Sequence, residues 1–240
     1  MSDLVYTADF ADVYEPLYRH RGKNWEREAE QVVALIRQRR PAAASLLDVA
    51  CGTGTHLATF GRLLPRVEGL EIADAMRDTA RRRLPGVPVH AGDMRDFALG
   101  SRFDAVTCLF NSIAYVGGLA EMRAATACMA AHLAPGGVLV MEPWWFPERF
   151  LDGHLACDAG DVDGRAIARV SRSTRHGRRS RLEARFLIAA PEGIKEFTHV
   201  HNLMLFTEDE YLGALADADI TATFHEGGLT GRGLFVGVRD

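Results

Sequence analysis

The stretch Leu46-Leu47-Asp48-Val49-Ala50-Cys51-Gly52-Thr53-Gly54-Thr55-His56 decides the fold of this chain. An apolar run reaches an acid at Asp48, and a Gly-x-Gly turn then opens a helix. Glycine has no Cβ, so the backbone at Gly52 and Gly54 can approach a ligand closely. In an open α/β sheet such a ligand lies beyond the carboxyl ends of the strands. The stretch therefore predicts a strand–loop–helix unit that binds a ligand.

Two residues near this loop narrow the class of ligand. A dinucleotide site requires a third glycine three residues after Gly54, where the helix packs against the strand. This chain has Leu57 at that position. The acid at Asp48 also suits a cationic ligand better than a diphosphate. An NAD-dependent oxidoreductase is therefore the least favoured alternative.

Strand and helix patterns alternate along the first 60% of the chain. The predicted helices cover residues 9–18, 25–39, 56–64, 73–84 and 119–133. The predicted strands cover residues 45–49, 67–70, 87–90, 103–109 and 138–141. Alternation at this spacing is typical of βαβ units and of a parallel sheet. The predicted fold class is therefore α/β, with a Rossmann-like core sheet.

The pattern changes after the strand that ends at Met141. Residues 166–206 alternate with period two and show no convincing helix, which predicts an antiparallel β meander of three strands. The arginine-rich segment 165–181 is interpreted as a solvated β surface, because charged strands resist edge-to-edge association. Two final strands, 221–226 and 234–238, are predicted to return to the core sheet as an antiparallel pair.

These patterns define the expected domain organisation. Thr207 and Glu210 form a capping-box pattern at the start of a helix that follows the meander. We predict a core domain of residues 1–142 and 207–240 that carries an N-terminal lid. Residues 143–206 are predicted to form an inserted antiparallel β subdomain that covers the substrate and contacts a second subunit.

Acidic residues follow the next two core strands as well. Glu71 ends the second strand, roughly 20 residues past the glycine loop, where a carboxylate can accept both hydroxyls of a ribose. Gly92-Asp93-Met94 follows the third strand. Three motifs at three successive strand ends point to a single cofactor, because consistency across levels is stronger evidence than any one motif.

Together the three motifs resemble those of S-adenosylmethionine (SAM) dependent methyltransferases. The resemblance implies that the Asp93 carboxylate meets the adenine amino group and that the Met94 backbone meets a ring nitrogen. Met94 can equally serve as core filler. The cofactor-binding residues implied by the resemblance are Tyr18, Asp48, Ala50, Gly52, Gly54, Glu71, Asp93 and Met94.

Further segments resemble one family within this class, and this resemblance covers nearly the whole chain. They are residues 10–14, 21–23, 92–97, 132–137, 142–147 and 231–237. The family consists of N,N-dimethyltransferases that act on nucleotide-linked amino sugars of antibiotics, of the desosamine and mycaminose type. The resemblance implies that SAM methylates the amino group of a dTDP-linked amino deoxysugar. We expect this amino group to be methylated twice.

The same resemblance implies which residues face the substrate. Tyr14 and Tyr18 lie on a segment that folds over the cofactor as a lid, or that is anchored there by apolar contacts. Arg232 lies in a glycine-flanked turn and is implied to bind the nucleotide diphosphate, since a guanidinium matches phosphate oxygens bidentately. Trp145 either lines the sugar or base pocket or belongs to a hydrophobic seam between the insertion and the core.

Methyl transfer from a sulfonium requires no metal, and the enzyme acts mainly by proximity and orientation. Candidate catalytic residues that hold the amine or accept its proton are Tyr14, Asn111 and Tyr115. The family often carries a histidine where this chain has Tyr115, which leaves the exact sugar open. The alternative functions are methylation of another small-molecule amine or of a sugar hydroxyl, and SAM binding without catalysis.

Composition sets the remaining expectations. A net charge of −4 gives no electrostatic argument for nucleic acid or for an anionic membrane. The N-terminal segment lacks the pattern of a signal peptide, and no apolar run approaches the length of a transmembrane helix. The four cysteines show neither disulfide nor zinc spacing. We therefore expect a cytoplasmic protein with a small-molecule substrate and no metal. A homodimer is expected from the inserted meander.

Overall fold

The computed structural model describes residues 8–162 and 164–240, so the first seven residues of the predicted core domain lie outside it. The helices are α1 (Ala8–His20), α2 (Trp25–Arg39), α3 (Thr55–Leu63), α4 (Asp74–Arg83), α5 (Leu119–Ala131) and α6 (Glu208–Ala216). The strands are β1 (Ser45–Val49), β2 (Arg66–Glu71), β3 (Val89–Ala91), β4 (Phe103–Cys108), β5 (Leu133–Met141), β6 (Leu155–Val162), β7 (Arg165–His176), β8 (Arg179–Ala190), β9 (Gly193–Met204), β10 (Ile220–His225) and β11 (Leu234–Arg239). In the described part of the chain, no helix is both long and apolar enough to cross a lipid bilayer.

Local sequence explains where two of the helices begin. The Asn24 side chain accepts a hydrogen bond from the backbone N–H of Arg27, which caps the first turn of α2. Thr207 and Glu210 exchange side-chain and backbone hydrogen bonds at the start of α6. The predicted capping box is thereby confirmed.

The core sheet has seven strands in the order β10-β11-β5-β4-β1-β2-β3. Strands β1 to β5 pair in parallel, and β11 runs antiparallel between β5 and β10. The strand order reverses direction between β1 and β4, where open α/β sheets bind their ligands. The predicted Rossmann-like sheet and its final antiparallel pair are confirmed.

A second sheet consists of the four antiparallel strands β6 to β9. The prediction of an inserted antiparallel meander is confirmed, but the prediction of three strands is wrong because β6 precedes them. Strand β6 has small residues and no clear apolar alternation. A Cβ on its Gly160 would lie 2.2 Å from Cε1 of His20, so the end of α1 packs directly on this strand.

Helix α1 lies between the core and the second sheet. Its buried residues Phe10 and Leu17 share a cluster with Met76 of α4 and Phe186 of β8. The α1 carboxylate of Glu15 accepts two hydrogen bonds from Arg83 at 2.6 and 2.7 Å. Arg83 also donates to the Thr53 carbonyl at 2.7 Å. These contacts hold α1 over the carboxyl ends of the core strands.

Candidate active site

A first cavity lies where the carboxyl ends of β1, β2, β3 and β4 meet. Its floor is the glycine loop, in which Ala50, Gly52 and Gly54 have φ angles of 58°, 58° and 76°. A Cβ on Gly54 would lie 3.1 Å from the Cβ of Ala80, so this glycine allows α4 to pack closely. A Cβ on Gly52 would meet no atom within 4 Å, which places Gly52 against open cavity space. The two glycines therefore serve packing and ligand approach respectively.

Glu71 connects two loops at the edge of this cavity. Its side chain is buried, and one carboxylate oxygen accepts the Gly52 N–H at 2.8 Å while the other accepts the Ala73 N–H at 2.8 Å. Burial raises the pKa of Glu71, although these N–H groups oppose the effect. The carboxylate thus shapes the glycine loop and also lines the first cavity.

Asp48 lies at the end of β1 and is 2% exposed. Its carboxylate accepts a hydrogen bond from the Thr107 hydroxyl at 2.7 Å. Burial raises the pKa of Asp48 to about 6, against the smaller opposing effects of His56 and Thr107. A ligand that brings positive charge into this cavity would favour the ionised carboxylate.

Asp48→Asn is expected to stabilise the unliganded protein in a pH-dependent way. Below pH 3.8, the ordinary pKa of an aspartate, Asp48 is protonated in both folded and unfolded chains. As the pH rises towards 6, the unfolded chain ionises first, so Asp48 destabilises the fold by an amount that reaches about 3 kcal/mol. Urea unfolding of the variant and the parent at pH 5 and pH 8 measures the difference.

Asp104→Asn is the matched control with the opposite sign. Although burial opposes it, hydrogen bonds from Ala44 and Ser45 and the ion pair with Arg40 lower the pKa of Asp104. This carboxylate therefore contributes stability above its ordinary pKa, and the Asn variant is expected to lose stability at pH 8. An Asp48→Asn protein that is less stable than the parent at pH 8 would contradict the charge argument.

Asp93 and Met94 line the same cavity after β3. Arg95 donates to both oxygens of Asp93, and its guanidinium also donates to Glu121 at 2.5 Å. Hydrogen bonds from Arg95 lower the pKa of Asp93, so the carboxylate is ionised at neutral pH. Met94 packs against the main hydrophobic cluster and also lines this cavity. The contact of its backbone with an adenine ring stays a prediction.

A second cavity lies between the core and the second sheet. It is lined by five basic residues. They come from the loop after α1, the segment after β5, strand β7 and the β10–β11 turn. They are Arg21, Lys23, Arg149, Arg169 and Arg232. Glu28 is the acidic residue in its wall among those described. The cavity therefore suits a substrate with an anionic part.

The two cavities meet at Phe110 and Tyr115, which line both. Phe110 and Asn111 follow β4 with φ angles of 51° and 57°, a conformation that non-glycine residues adopt only where the surroundings hold them. The buried carboxylate of Glu142 accepts the Phe110 N–H at 2.7 Å. The Lys23 ammonium lies 3.8 Å from the centre of the Phe110 ring. These contacts hold the ring at the junction.

Tyr115 brings the second sheet into this junction. Its hydroxyl is hydrogen-bonded to Nδ1 of His201 on β9. Burial lowers the pKa of His201, so the imidazole is neutral at physiological pH. The second cavity also contains Asn111, the third candidate catalytic residue.

The N-terminal tyrosines lie near the same junction. Tyr14 lines the first cavity and Tyr18 lines the second. Their ring centres are 5.0 Å apart, and Tyr18 contacts Phe110 edge to face at 4.9 Å. Both residues therefore stand at the boundary between the two cavities.

Arg232 is largely buried, unlike an ordinary hairpin arginine. Its side chain is 13% exposed and lies 5.2 and 5.8 Å from the ring centres of Trp144 and Trp145. One guanidinium nitrogen is 3.8 Å from Glu142, and among the described residues Nε has no hydrogen-bond partner. A buried donor without a partner costs free energy, and a bound oxygen would remove that cost.

Sequence reasoning missed several residues of the second cavity. Arg169 was interpreted as part of a solvated surface, but its side chain is 5% exposed and faces the cavity. His201 lay on a predicted strand, but nothing in the chain near it indicates Tyr115 as its partner. The carboxylate of Glu28 contacts Lys23 at 2.6 Å and His56 at 2.8 Å. Lys23 belonged to a segment that the sequence had singled out, residues 21–23.

Known proteins are similar to this chain in sequence and in fold. A family model described as "Methyltransferase domain" matches residues 46–137. The dTDP-4-amino-2,3,4,6-tetradeoxy-D-glucose N,N-dimethyltransferase of Saccharopolyspora spinosa is 51% identical, over 98% of this chain and 95% of that protein. The dTDP-3-amino-3,4,6-trideoxy-alpha-D-glucopyranose N,N-dimethyltransferase of Streptomyces venezuelae is 48% identical, over 98% of this chain and 99% of that protein.

A solved structure of a related methyltransferase is also similar to this chain, both in sequence and in fold. The SAM-bound amino pentose methyltransferase of Micromonospora echinaspora is 59% identical, with a TM-score of 0.90, over 95% of this chain and 97% of that one. The predictions of SAM as cofactor and of methyltransferase activity are thereby confirmed. The chain belongs to the family of SAM-dependent N,N-dimethyltransferases of dTDP-linked amino sugars.

Proposed function

We propose that this enzyme transfers two methyl groups in succession from SAM to the amino group of a dTDP-linked amino deoxysugar of antibiotic biosynthesis. The observation that carries the proposal is the meeting of two different cavities at Phe110 and Tyr115. The first has the acids and glycines that suit SAM, and the second is basic and aromatic. A sugar amine at the junction would lie next to the methyl donor.

The cofactor and this chain divide the chemistry between them. Bound SAM supplies a methyl group on a positively charged sulfur, which is already activated for displacement. The protein holds the neutral amine in line with that methyl group, and this orientation is the main source of rate acceleration. We assign the hydroxyl of Tyr115, the amide of Asn111 and the hydroxyl of Tyr14 to hydrogen bonds with the amine or the sugar. Water accepts the released proton.

The charge of the second cavity supports a nucleotide-linked substrate over a free sugar. Five basic residues line it, and the buried Arg232 has an unpartnered donor among the described residues. A diphosphate supplies negative charge and several acceptor oxygens. We place the sugar diphosphate beside Arg232, with Trp144 and Trp145 as aromatic walls for the sugar or the base.

The test is incubation of the enzyme with SAM and a panel of substrates, followed by mass spectrometry. The names of two of the related dimethyltransferases state different amine positions, so the panel includes dTDP-linked 3-amino and 4-amino sugars. We expect mono- and then dimethylated product from a dTDP-linked sugar. Turnover of free amino sugars alone, or of a sugar hydroxyl, would contradict the proposal.

The outer face of the second sheet supports a homodimer. Among the large hydrophobic residues that are strongly exposed, Leu155, Val170, Leu187 and Ile194 share this face. An exposed apolar patch of this kind marks a protein–protein interface. We expect a dimer by light scattering at micromolar protein concentration, and a shift towards monomer when Val170 and Leu187 are both replaced with Asp. A parent protein that is monomeric under these conditions would exclude the dimer.

A further inference from the structure

The second cavity contains two largely buried arginines that come from different sheets. Arg232 reaches it from the β10–β11 turn of the core, and Arg169 reaches it from β7 of the second sheet. Alternate residues of β7 face opposite sides, so Arg169 is buried with Ser171 while Arg172 is exposed. The register of the second sheet therefore directs Arg169 into the cavity.

The charge of Arg169 is only partly compensated. One nitrogen of its guanidinium lies 3.0 Å from Asp158, and the same carboxylate lies 3.4 Å from Arg21. One negative charge thus serves two guanidinium groups, and both arginines line the cavity. Burial lowers the pKa of Arg169, which reflects the cost of holding this cation out of water, yet a guanidinium remains charged at physiological pH.

The two arginines belong to one electrostatic region. Arg169 and Arg232 line the same cavity together with Arg21 and Tyr18. Tyr18 contacts Phe110 at 4.9 Å, and the Phe110 ring lies 5.8 Å from the Arg232 guanidinium. Tyr18 therefore lies close to Phe110 and Arg232 in the cavity that Arg169 also lines.

We propose that Arg169 binds the substrate diphosphate together with Arg232, so that the inserted sheet completes an anion site that the core sheet only begins. This inference depends on the proposed function, since the diphosphate belongs to the proposed substrate. A sugar hydroxyl could accept hydrogen bonds from Arg169, but it would not balance the surplus positive charge around Asp158. A diphosphate does both, and the planar fork of arginine matches its oxygens.

The competing role for Arg169 is structural. In that role the guanidinium would serve only to position Asp158. Asp158 in turn pairs with Arg21, which directly follows α1. Loss of the side chain would then lower the melting temperature and weaken SAM and dTDP binding alike. The anion-binding role predicts a loss confined to ligands that carry phosphate groups.

The test is titration calorimetry with dTDP and, separately, with SAM. Arg169→Met is expected to weaken dTDP binding roughly tenfold and to leave SAM binding unchanged. Arg169→Lys keeps the charge without the fork and is expected to recover part of the affinity. The matched control is Arg172→Met on the outer face of the same strand, which is expected to bind dTDP as the parent does, with the oligomeric state checked by light scattering.

The outcomes separate this inference from the proposed function. A parent protein that binds dTDP while Arg169→Met binds it equally well would overturn the role of Arg169 alone. Equal losses of dTDP and SAM affinity would assign Arg169 a structural role and overturn the inference as well. A parent protein that binds no dTDP would contradict the proposed function, and the inference with it.

Discussion

Replacing Arg232 with Met is expected to raise the KM for a dTDP-linked amino sugar by roughly 30- to 100-fold, the scale of a bidentate charged hydrogen bond. Methionine retains an unbranched apolar side chain and removes the guanidinium, whose carbon lies 5.2 and 5.8 Å from the ring centres of Trp144 and Trp145. In the proposed function the diphosphate does not take part in the methyl transfer. If its contact with Arg232 is equal in the ground and transition states, kcat is expected to change little. Steady-state kinetics with the nucleotide sugar measures both constants.

The comparison substrate for this variant is the free amino sugar. Without a diphosphate, parent and Arg232→Met are expected to methylate it equally slowly. The control for the loss of one positive charge is Arg123→Met. Arg123 is a half-exposed arginine on α5 that pairs with Asp217. Equal damage to both substrates would mean that Arg232 mainly holds Glu142 and the loop at Phe110.

Replacing Glu71 with Ala is expected to weaken SAM binding by roughly 1.5–3 kcal/mol, or about 10- to 150-fold, as for the loss of a charged hydrogen bond. The structure adds a second reason for a large effect. The carboxylate holds the N–H of Gly52 and the N–H of Ala73, so its loss also frees the glycine loop. Calorimetric titration of SAM into the variant measures the affinity.

Two further variants separate these contributions to SAM affinity. Glu71→Gln retains one acceptor for a loop N–H and is expected to fall between the parent and Glu71→Ala. Glu68→Ala removes a carboxylate from the same strand that pairs with Arg66 and His90 and lines neither cavity. We expect Glu68→Ala to bind SAM normally. Unchanged SAM affinity in Glu71→Ala would exclude both the ribose role and the loop role.

The sequence by itself determined the fold class and the cofactor. Each of the three cofactor motifs lies at the end of one strand and in the loop that follows it. The motifs are residues 46–56, the acid Glu71 and the pair Asp93-Met94. Such local units can be recognised without tertiary information, because the spacing of apolar residues sets each strand and the glycines set each turn. A parallel sheet then brings the carboxyl ends to one edge whatever the details of packing.

The N-terminal and inserted segments were predicted less completely for a physical reason. Period-two alternation shows which residues of β7 share a face, but not which face another element covers. The arginine-rich segment was therefore interpreted as solvated throughout, although α1 and the core bury the face that contains Arg169. Strand β6 was missed because close packing of His20 on Gly160 requires small residues, which carry little strand signal.

Only the tertiary structure decided how the second cavity is built. Tyr115 meets His201, Glu142 meets Phe110 and Arg232, and each of these contacts joins segments that are distant in the chain. No local pattern indicates such partners, because they depend on how the second sheet packs over the core and on how α1 lies between them. The motifs of the cofactor site were therefore determined locally, whereas the second cavity, our proposed substrate site, was decided by the packing of one sheet against the other.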